Sequence, residues 1–265
     1  MQVARVLMCR PSHFDVGYII NPHMLPHSVN QPLAMKQWET LVSALEGLGV
    51  KVDIIDQEPD VPDMVFATDQ GIVQGKKVLL ANFRYPERKH ETKYYSQWFR
   101  RHGYEPRQLT NIFSFEGGDA LFVGDALFVG TGFRANIASC EELSQALDTD
   151  VVPLRLTDPR FYHLDMCFLP LDDDTAFYYP PAFSKNSENL LKKLVPNLYE
   201  FNPKEAEGYA ANSFVTDGTV VLQAGNPSFA RKLKALGREV IEIDLSEFKK
   251  AGGGIHCLIN TLERK

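Results

Sequence analysis

Five polar residues stand at nearly even intervals along this chain of 265 residues: Asp69, Glu116, His163, Asn212 and Cys257, separated by 47, 47, 49 and 45 positions. Their types are two acids, an imidazole, an amide and a thiol, the groups that nucleophilic attack on an electrophilic carbon employs. Each has an ordinary structural reading when taken alone. Asp69 caps a turn, Asn212 holds a loop, His163 is a satisfied core histidine, and Cys257 is a small buried hydrophobe. Gathered in one cleft they read differently, because buried ionisable groups are costly unless paired or used. Cys257 closes the run Gly252-Gly253-Gly254-Ile255-His256-Cys257, in which the glycines either stop a helix after Phe248-Lys249-Lys250-Ala251 or bring backbone close to a ligand. The convergent reading makes Cys257 a nucleophile.

The elements that would position these residues repeat. Helical periodicity begins near residues 32, 86, 136, 184 and 227, at intervals of 54, 50, 48 and 43. Pro32 to Leu48 is followed by a strand at Val50 to Ile55. Strands at Met64 to Ala67 and Ile72 to Phe83, the latter turning at Gln74-Gly75-Lys76-Lys77, precede a helix at Pro86 to Arg101 and a strand at Tyr104 to Leu109. Hairpins in Ala120 to Gly132, Met166 to Tyr179 and Ser213 to Gln223 each lead to a helix and a further strand. Val3 to Met8 opens the first unit without a hairpin partner, and Cys257 to Leu262 is left over as a strand. Joining the two closes a ring, so residues 1–265 form one domain. The expected fold class is α/β, a five-bladed pseudo-symmetric propeller of ββαβ units with one of the spaced polar residues heading each inner strand.

Composition narrows the function classes. Charged residues make up 23% of the chain, with a net charge of −6 and both signs interspersed, which lacks the basic stripe of a nucleic-acid surface. The four cysteines, Cys9, Cys140, Cys167 and Cys257, lie far apart and form no C-x-x-C pair, so neither a disulfide framework nor a zinc knuckle is indicated, and a reducing cytoplasm fits. His23 and His27 are separated by Pro26, which breaks the helix that would aim both at a metal. No apolar run suits a signal peptide or a membrane span. The stretch Ser12 to Gln31 has no clear period and reads as a long loop, with Phe14, Asp15 and Asn21 as candidate substrate contacts.

The runs Phe115-Glu116-Gly117-Gly118-Asp119, His163-Leu164-Asp165, Gly253-Gly254-Ile255-His256-Cys257 and Pro62-Asp63-Met64-Val65-Phe66-Ala67-Thr68-Asp69 resemble, in family order, the guanidine-modifying superfamily of arginine deiminases, dimethylarginine dimethylaminohydrolases, amidinotransferases and arginine dihydrolases. The resemblance implies the five-bladed α/β propeller called a pentein, with a central Cys-His-Glu site and neither metal nor organic cofactor. It implies Cys257 as covalent nucleophile, His163 as general acid and base, and Glu116 as its partner. Asp69, Asp165 and Asp63 would grip the guanidinium. Arg134, Arg84, Asn21, Phe14 and Asn212 would hold the amino-acid end. His256, next to the nucleophile, should face away from the cavity if the segment is a strand, which leaves it a supporting role.

The implied partner is a small guanidino compound, arginine or a methylated arginine, with no nucleic acid or membrane, and a homodimer is allowed. The opening Leu7-Met8-Cys9-Arg10-Pro11-Ser12 and the run Phe161-Tyr162-His163-Leu164-Asp165 look most like the arginine dihydrolase domain, which releases ornithine. Asp69 departs from it, since that domain carries asparagine there, whereas deiminases and dimethylaminohydrolases carry aspartate. Citrulline with ammonia or a methylamine is therefore the expected product, and ornithine, or amidino transfer, the alternative. A module that only binds arginine has no use for the thiol, and a purely structural ring would fill its axis with apolar groups.

Overall fold

Each repeat folds into a three-stranded sheet whose middle strand runs antiparallel to its inner neighbour and parallel to its outer one. The structure, a computed structural model, describes residues 2–109 and 113–264. The first sheet joins both ends of the described chain. β1 (Val3–Arg10) leads through α1 (Gln31–Gly47) to the parallel β2 (Lys51–Asp56), and its inner partner is β15 (Asn260–Arg264), with Leu7 opposite Asn260. The second has β3 (Gly71–Gln74), β4 (Lys77–Leu80), α2 (Glu91–Arg101) and β5 (Glu105–Gln108); the third has β6 (Ala120–Val123), β7 (Ala126–Thr131), α3 (Ser139–Leu147) and β8 (Val151–Arg155).

The fourth has β9 (Phe168–Pro170), β10 (Thr175–Tyr178), α4 (Lys185–Leu194) and β11 (Asn197–Glu200), and a short α5 (Pro203–Glu207) leads to the fifth. There β12 (Phe214–Thr216), β13 (Thr219–Gln223), α6 (Pro227–Ala235) and β14 (Glu239–Ile243) complete the ring, and α7 (Ser246–Lys249) returns the chain to the axis. Five sheets of ββαβ units are the expected α/β propeller, and its helix boundaries lie within a few residues of the periodicity.

The buried apolar side chains form clusters that cross unit boundaries, one of them reaching from Val123 of the third unit to Leu233 of the fifth. Phe229 of α6, fully buried, meets Phe177 and Phe201 with ring centroids 5.0 Å from each, which ties the fourth unit to the fifth. Capping follows local chemistry. Asn30 accepts from Leu33 N at the head of α1, and Asn202 with Glu205 forms a reciprocal capping box on α5.

Two expected strands contain 3-10 turns instead, one throughout and one at its start. Met64 to Ala67 folds into turns at Pro62–Val65 and Ala67–Gln70, and the start of Cys257 to Leu262 is a turn at His256–Leu258, with the strand beginning at Asn260. A turn of the same kind heads β6 (Gly117–Asp119) and β9 (Leu164–Met166). Short polar side chains compete for backbone groups here, which favours a tight turn over a ladder. On this packing, Phe229→Ala should cost about 3–5 kcal/mol in urea unfolding; a loss below about 1 kcal/mol would contradict the core described here.

Candidate active site

The recurring turns bring functional side chains to the ring axis. Glu116 and His163 are the extended residues immediately before their turns, while Asp69, Asp165 and Cys257 lie inside theirs. All five are buried. The Asp69 and Cys257 turns are clamped reciprocally. Thr68 Oγ1 donates to His256 O at 2.6 Å and also lies against Ile259 O, and Asn260 Nδ2 donates to Ala67 O at 3.0 Å and Gly71 O at 2.9 Å. Backbone on both sides of the thiol is thus tied to backbone on both sides of Asp69.

The cysteine is held by an amide and a carboxylate. Asn212 accepts from Cys257 N at 3.2 Å and donates through Nδ2 to Sγ at 3.0 Å, while the thiol donates to Asp165 Oδ2 at 3.4 Å. Burial, then Asp165 and Asp69, push the Cys257 thiol well above its ordinary range, so the empty site holds it protonated. His163 Nε2 bonds Glu116 Oε2 at 3.0 Å, and its Nδ1 lies 3.5 Å from Asp69 Oδ1. Burial opposes its charge, but Asp69, Asp119 and Glu116 prevail and raise it to about 9. His163 is therefore an imidazolium at neutral pH. Burial would raise Glu116 as well, yet Arg134 and His163 hold it well below the usual carboxylate range.

Two buried arginines balance the acids. Arg134 Nη1 donates to Glu116 Oε2 at 2.9 Å, and its guanidinium lies between the rings of Tyr85 and Tyr162 at 4.7 and 4.6 Å. Arg88 donates to Asp69 Oδ2 at 2.6 Å and forks onto Glu91 with two bonds of 2.9 Å. After these bonds Asp69 Oδ1, 3.5 Å from His163 Nδ1, and Asp165 Oδ1 remain buried without a hydrogen-bond partner.

A cavity of ≈ 10 Å³ lies among Asn21, Asp63, Phe66, Asp69, Arg88, Arg134, Tyr162, Gly253 and Cys257. The loop from Ser12 to Asn30 covers it. Ile20 O accepts from Arg134 Nη2 at 3.1 Å and Tyr18 OH donates to Asp63 Oδ2 at 3.0 Å, so an amino acid enters only if this loop moves. Among the described residues no group of three or more His, Cys, Asp or Glu side chains is arranged to hold a metal ion.

Of the expected site residues, Cys257, His163, Glu116, Asp69, Asp165, Asp63, Arg134, Asn21 and Asn212 come together at the axis. Four differ from their expected placement. Arg84 has an exposed side chain and reaches the site only by its backbone N–H, 3.2 Å from Glu116 Oε1, because alternation along the chain turns Phe83 inward. Phe14 is core, stacked on Phe248 with centroids 4.8 Å apart, and does not line the cavity. Asn212 serves the cysteine rather than the amino-acid end, and Asp63 faces Arg88 and the covering loop rather than the thiol.

The glycines also change meaning. Left-handed Gly252 does end α7, and a side chain on Gly253 would enter the Phe66 ring, while one on Gly254 would lie 2.8 Å from Asn212 Oδ1. They make room for protein side chains as much as for a ligand. The sequence expectation does not include Arg88, Thr68 or Asn260 in these tasks; the Arg88-x-x-Glu91 spacing is the signal it offers for the first.

With this geometry in hand, comparison with known proteins is decisive. A family model described as eukaryotic N,N dimethylarginine dimethylhydrolase matches residues 19–264. The chain belongs to the dimethylarginine dimethylhydrolase family. It is similar to the N(G),N(G)-dimethylarginine dimethylaminohydrolase of Mycobacterium tuberculosis, 39% identical over 96% of this chain and 84% of that protein. It is also similar to the bifunctional arginine dihydrolase/ornithine cyclodeaminase ArgZ of Synechocystis, at 38% identity over 96% of this chain. The chain spans only 37% of that longer protein. The crystal structure of the ArgZ N-terminal domain, a cysteine-to-serine mutant bound to substrate, superimposes with a TM-score of 0.94 over 96% of both chains at 37% identity.

Two measurements follow from the site's bonds and charges. Thr68→Val removes the hydroxyl that ties the two turns and should lower kcat roughly tenfold with little change in KM, while Thr68→Ser restores it; equal kcat in all three proteins would remove the clamp from the account. His163 binds a proton in the folded state up to about 9 against 6.5 for the free group. Its contribution to stability is complete below about 6.5 and lost as pH rises through about 9. The unfolding free-energy gap between wild type and His163→Gln should narrow across that window; a gap independent of pH contradicts the assignment.

Proposed function

We propose that the protein hydrolyses the guanidino C–N bond of arginine or an N-methylated arginine through a covalent Cys257 thiouronium, giving citrulline and ammonia or a methylamine. The observation that carries this is the pair of buried carboxylates, Asp69 and Asp165, that act on the Cys257 thiol and each keep one oxygen, Oδ1, without a hydrogen bond. A planar guanidinium offers forked N–H donors that match two carboxylates and fix its carbon between them.

The substrate's α-carboxylate would meet Arg134, which gives up Ile20 O as the loop moves, and its ammonium would meet Asp63, whose Oδ1 has no partner. Cys257, once a thiolate, attacks the guanidinium carbon. The His163 imidazolium then gives its proton to the departing nitrogen, and the C–N bond breaks. The imidazole so formed takes a proton from water that attacks the thiouronium carbon, and collapse expels the thiolate and leaves a urea group. Glu116, held ionised by Arg134, keeps His163 charged and oriented.

A second reading, arginine dihydrolysis to ornithine, is supported by the 38% identity to ArgZ. Asp69 favours the first. Its Oδ2 is fixed by Arg88 at 2.6 Å, and a fixed carboxylate holds the guanidinium rather than letting a urea turn for a second attack. The buried, unpaired cysteines fit a reducing, cytoplasmic setting, and no described helix is long and apolar enough to cross a membrane. A homodimer remains compatible with this reading.

Product analysis with arginine, monomethylarginine and asymmetric dimethylarginine tests the proposal. Citrulline is expected, with Cys257→Ser reducing kcat by roughly 10⁴-fold or more. Ornithine as main product would replace the first reading by the second, and an active serine variant would end both.

A further inference from the structure

The thiol of Cys257 must lose a proton before it attacks, and the nearby imidazole of His163 is already occupied. His163 is raised to about 9 and spends Nε2 on Glu116. The hydrogen-bond acceptor the thiol does have is Asp165 Oδ2 at 3.4 Å, and the same oxygen lies 2.9 Å from His256 Nδ1. The His256 side chain is 21% exposed and Asp165 only 1%. His256 opens to the other side of the ring. It lines cavities of ≈ 90 and ≈ 40 Å³ beside β6 and β15, the larger of which Asp165 also lines. No residue of either lining belongs to the ≈ 10 Å³ cavity on the substrate side. Cys257, Asp165 and His256 therefore form a line through the wall between two separate openings.

We propose that the thiol proton leaves through Asp165 and His256 to the hairpin face of the ring, so that the nucleophile is ionised from behind while the substrate fills the front. The inference rests on Cys257 being the nucleophile. The 2.9 Å contact is the Nδ1–H tautomer donating to Asp165 Oδ2. Exchange of that ring hydrogen with water in the rear cavity gives the Nε2–H tautomer, whose Nδ1 accepts, and the Sγ–H bond then breaks, the proton passing to Asp165 Oδ2 and from there to Nδ1. That Nε2 hydrogen goes to water in the rear cavity. Thiolate, carboxylate and the Nδ1–H imidazole remain, and the Nδ1–H donates to the carboxylate, as the 2.9 Å contact allows. No electron is gained or lost. The incoming guanidinium compensates the new thiolate, while Asp165 Oδ1 stays free to hold it. Other charged groups on the walls around His256 are Arg264 and, in the larger cavity, Asp172. His256 is thus a positioning and relay residue that never meets substrate.

His256→Asn tests the relay, because an amide nitrogen reproduces the Nδ1 hydrogen bond to Asp165 and cannot pass a proton through. With arginine and asymmetric dimethylarginine, kcat should fall at least roughly tenfold while KM stays within about twofold. Added imidazole, small enough for the larger rear cavity, should restore part of the rate in a concentration-dependent way. A variant with wild-type kcat, or one whose loss imidazole does not relieve, overturns the proposal. Should the variant fail to fold, diethyl pyrocarbonate on folded wild-type enzyme gives the same answer. Modification of His256, located by peptide mass, should slow turnover and hydroxylamine should reverse it; full activity of the modified enzyme overturns the relay. If Cys257→Ser is inactive and His256→Asn fully active, only the relay fails, whereas an active Cys257→Ser removes the nucleophile on which it rests.

Discussion

One carboxylate organises the centre of this molecule. Asp165 divides its two oxygens between tasks: Oδ2 receives the thiol and His256, and Oδ1 is left buried without a hydrogen-bond partner. Asp69 repeats the division, with Oδ2 on Arg88 and Oδ1 without a hydrogen bond, 3.5 Å from His163 Nδ1. Burying such charges costs several kcal/mol each unless they are paired in good geometry. The surrounding structure supplies that pairing: Arg88 forks onto Glu91, Arg134 is stacked between two tyrosines, and Glu116 receives three donors. The fold can be understood as the means of holding half-satisfied carboxylates close to a thiol without letting them collapse onto each other.

The five-fold repeat makes this geometrically simple. Four of the five sheets are entered through a 3-10 turn that brings polar side chains to the axis, and the fifth brings Asn212 just before its inner strand. Because the chain is divided into equivalent units, chemically different residues arrive at equivalent positions, and the clamp formed by Thr68 and Asn260 couples the turn of the first unit to that of the second. The covering loop adds the remaining wall. Its contacts with Arg134 and Asp63 are hydrogen bonds that substrate groups of the same kind would replace, so opening exchanges bonds rather than simply losing them.

Much of this was readable in the chain. The spacing of Asp69, Glu116, His163, Asn212 and Cys257 predicts their convergence because the repeat length fixes where each unit meets the axis. Strand and 3-10 turn were not separable at Met64–Ala67 or Cys257–Ile259, since both present a short apolar run after a polar residue. Arg84 directly follows the hairpin, but side-chain alternation sends it outward, while Arg88 falls in what periodicity reads as the first turn of a helix from Pro86. The role of Asn212 depended on knowing that its amide faces Cys257, and that of Asp63 on the path of an aperiodic loop. Neither pairing has a local signature.

The account stands on covalent attack by Cys257 at a guanidinium carbon. The most direct measurement is acid quenching of the enzyme during turnover of arginine, followed by peptide mass analysis. The account predicts that the peptide containing Cys257 gains the mass of arginine less ammonia, and that the label decays as product forms. Turnover with no adduct on that peptide, or with an adduct on another residue, would contradict it.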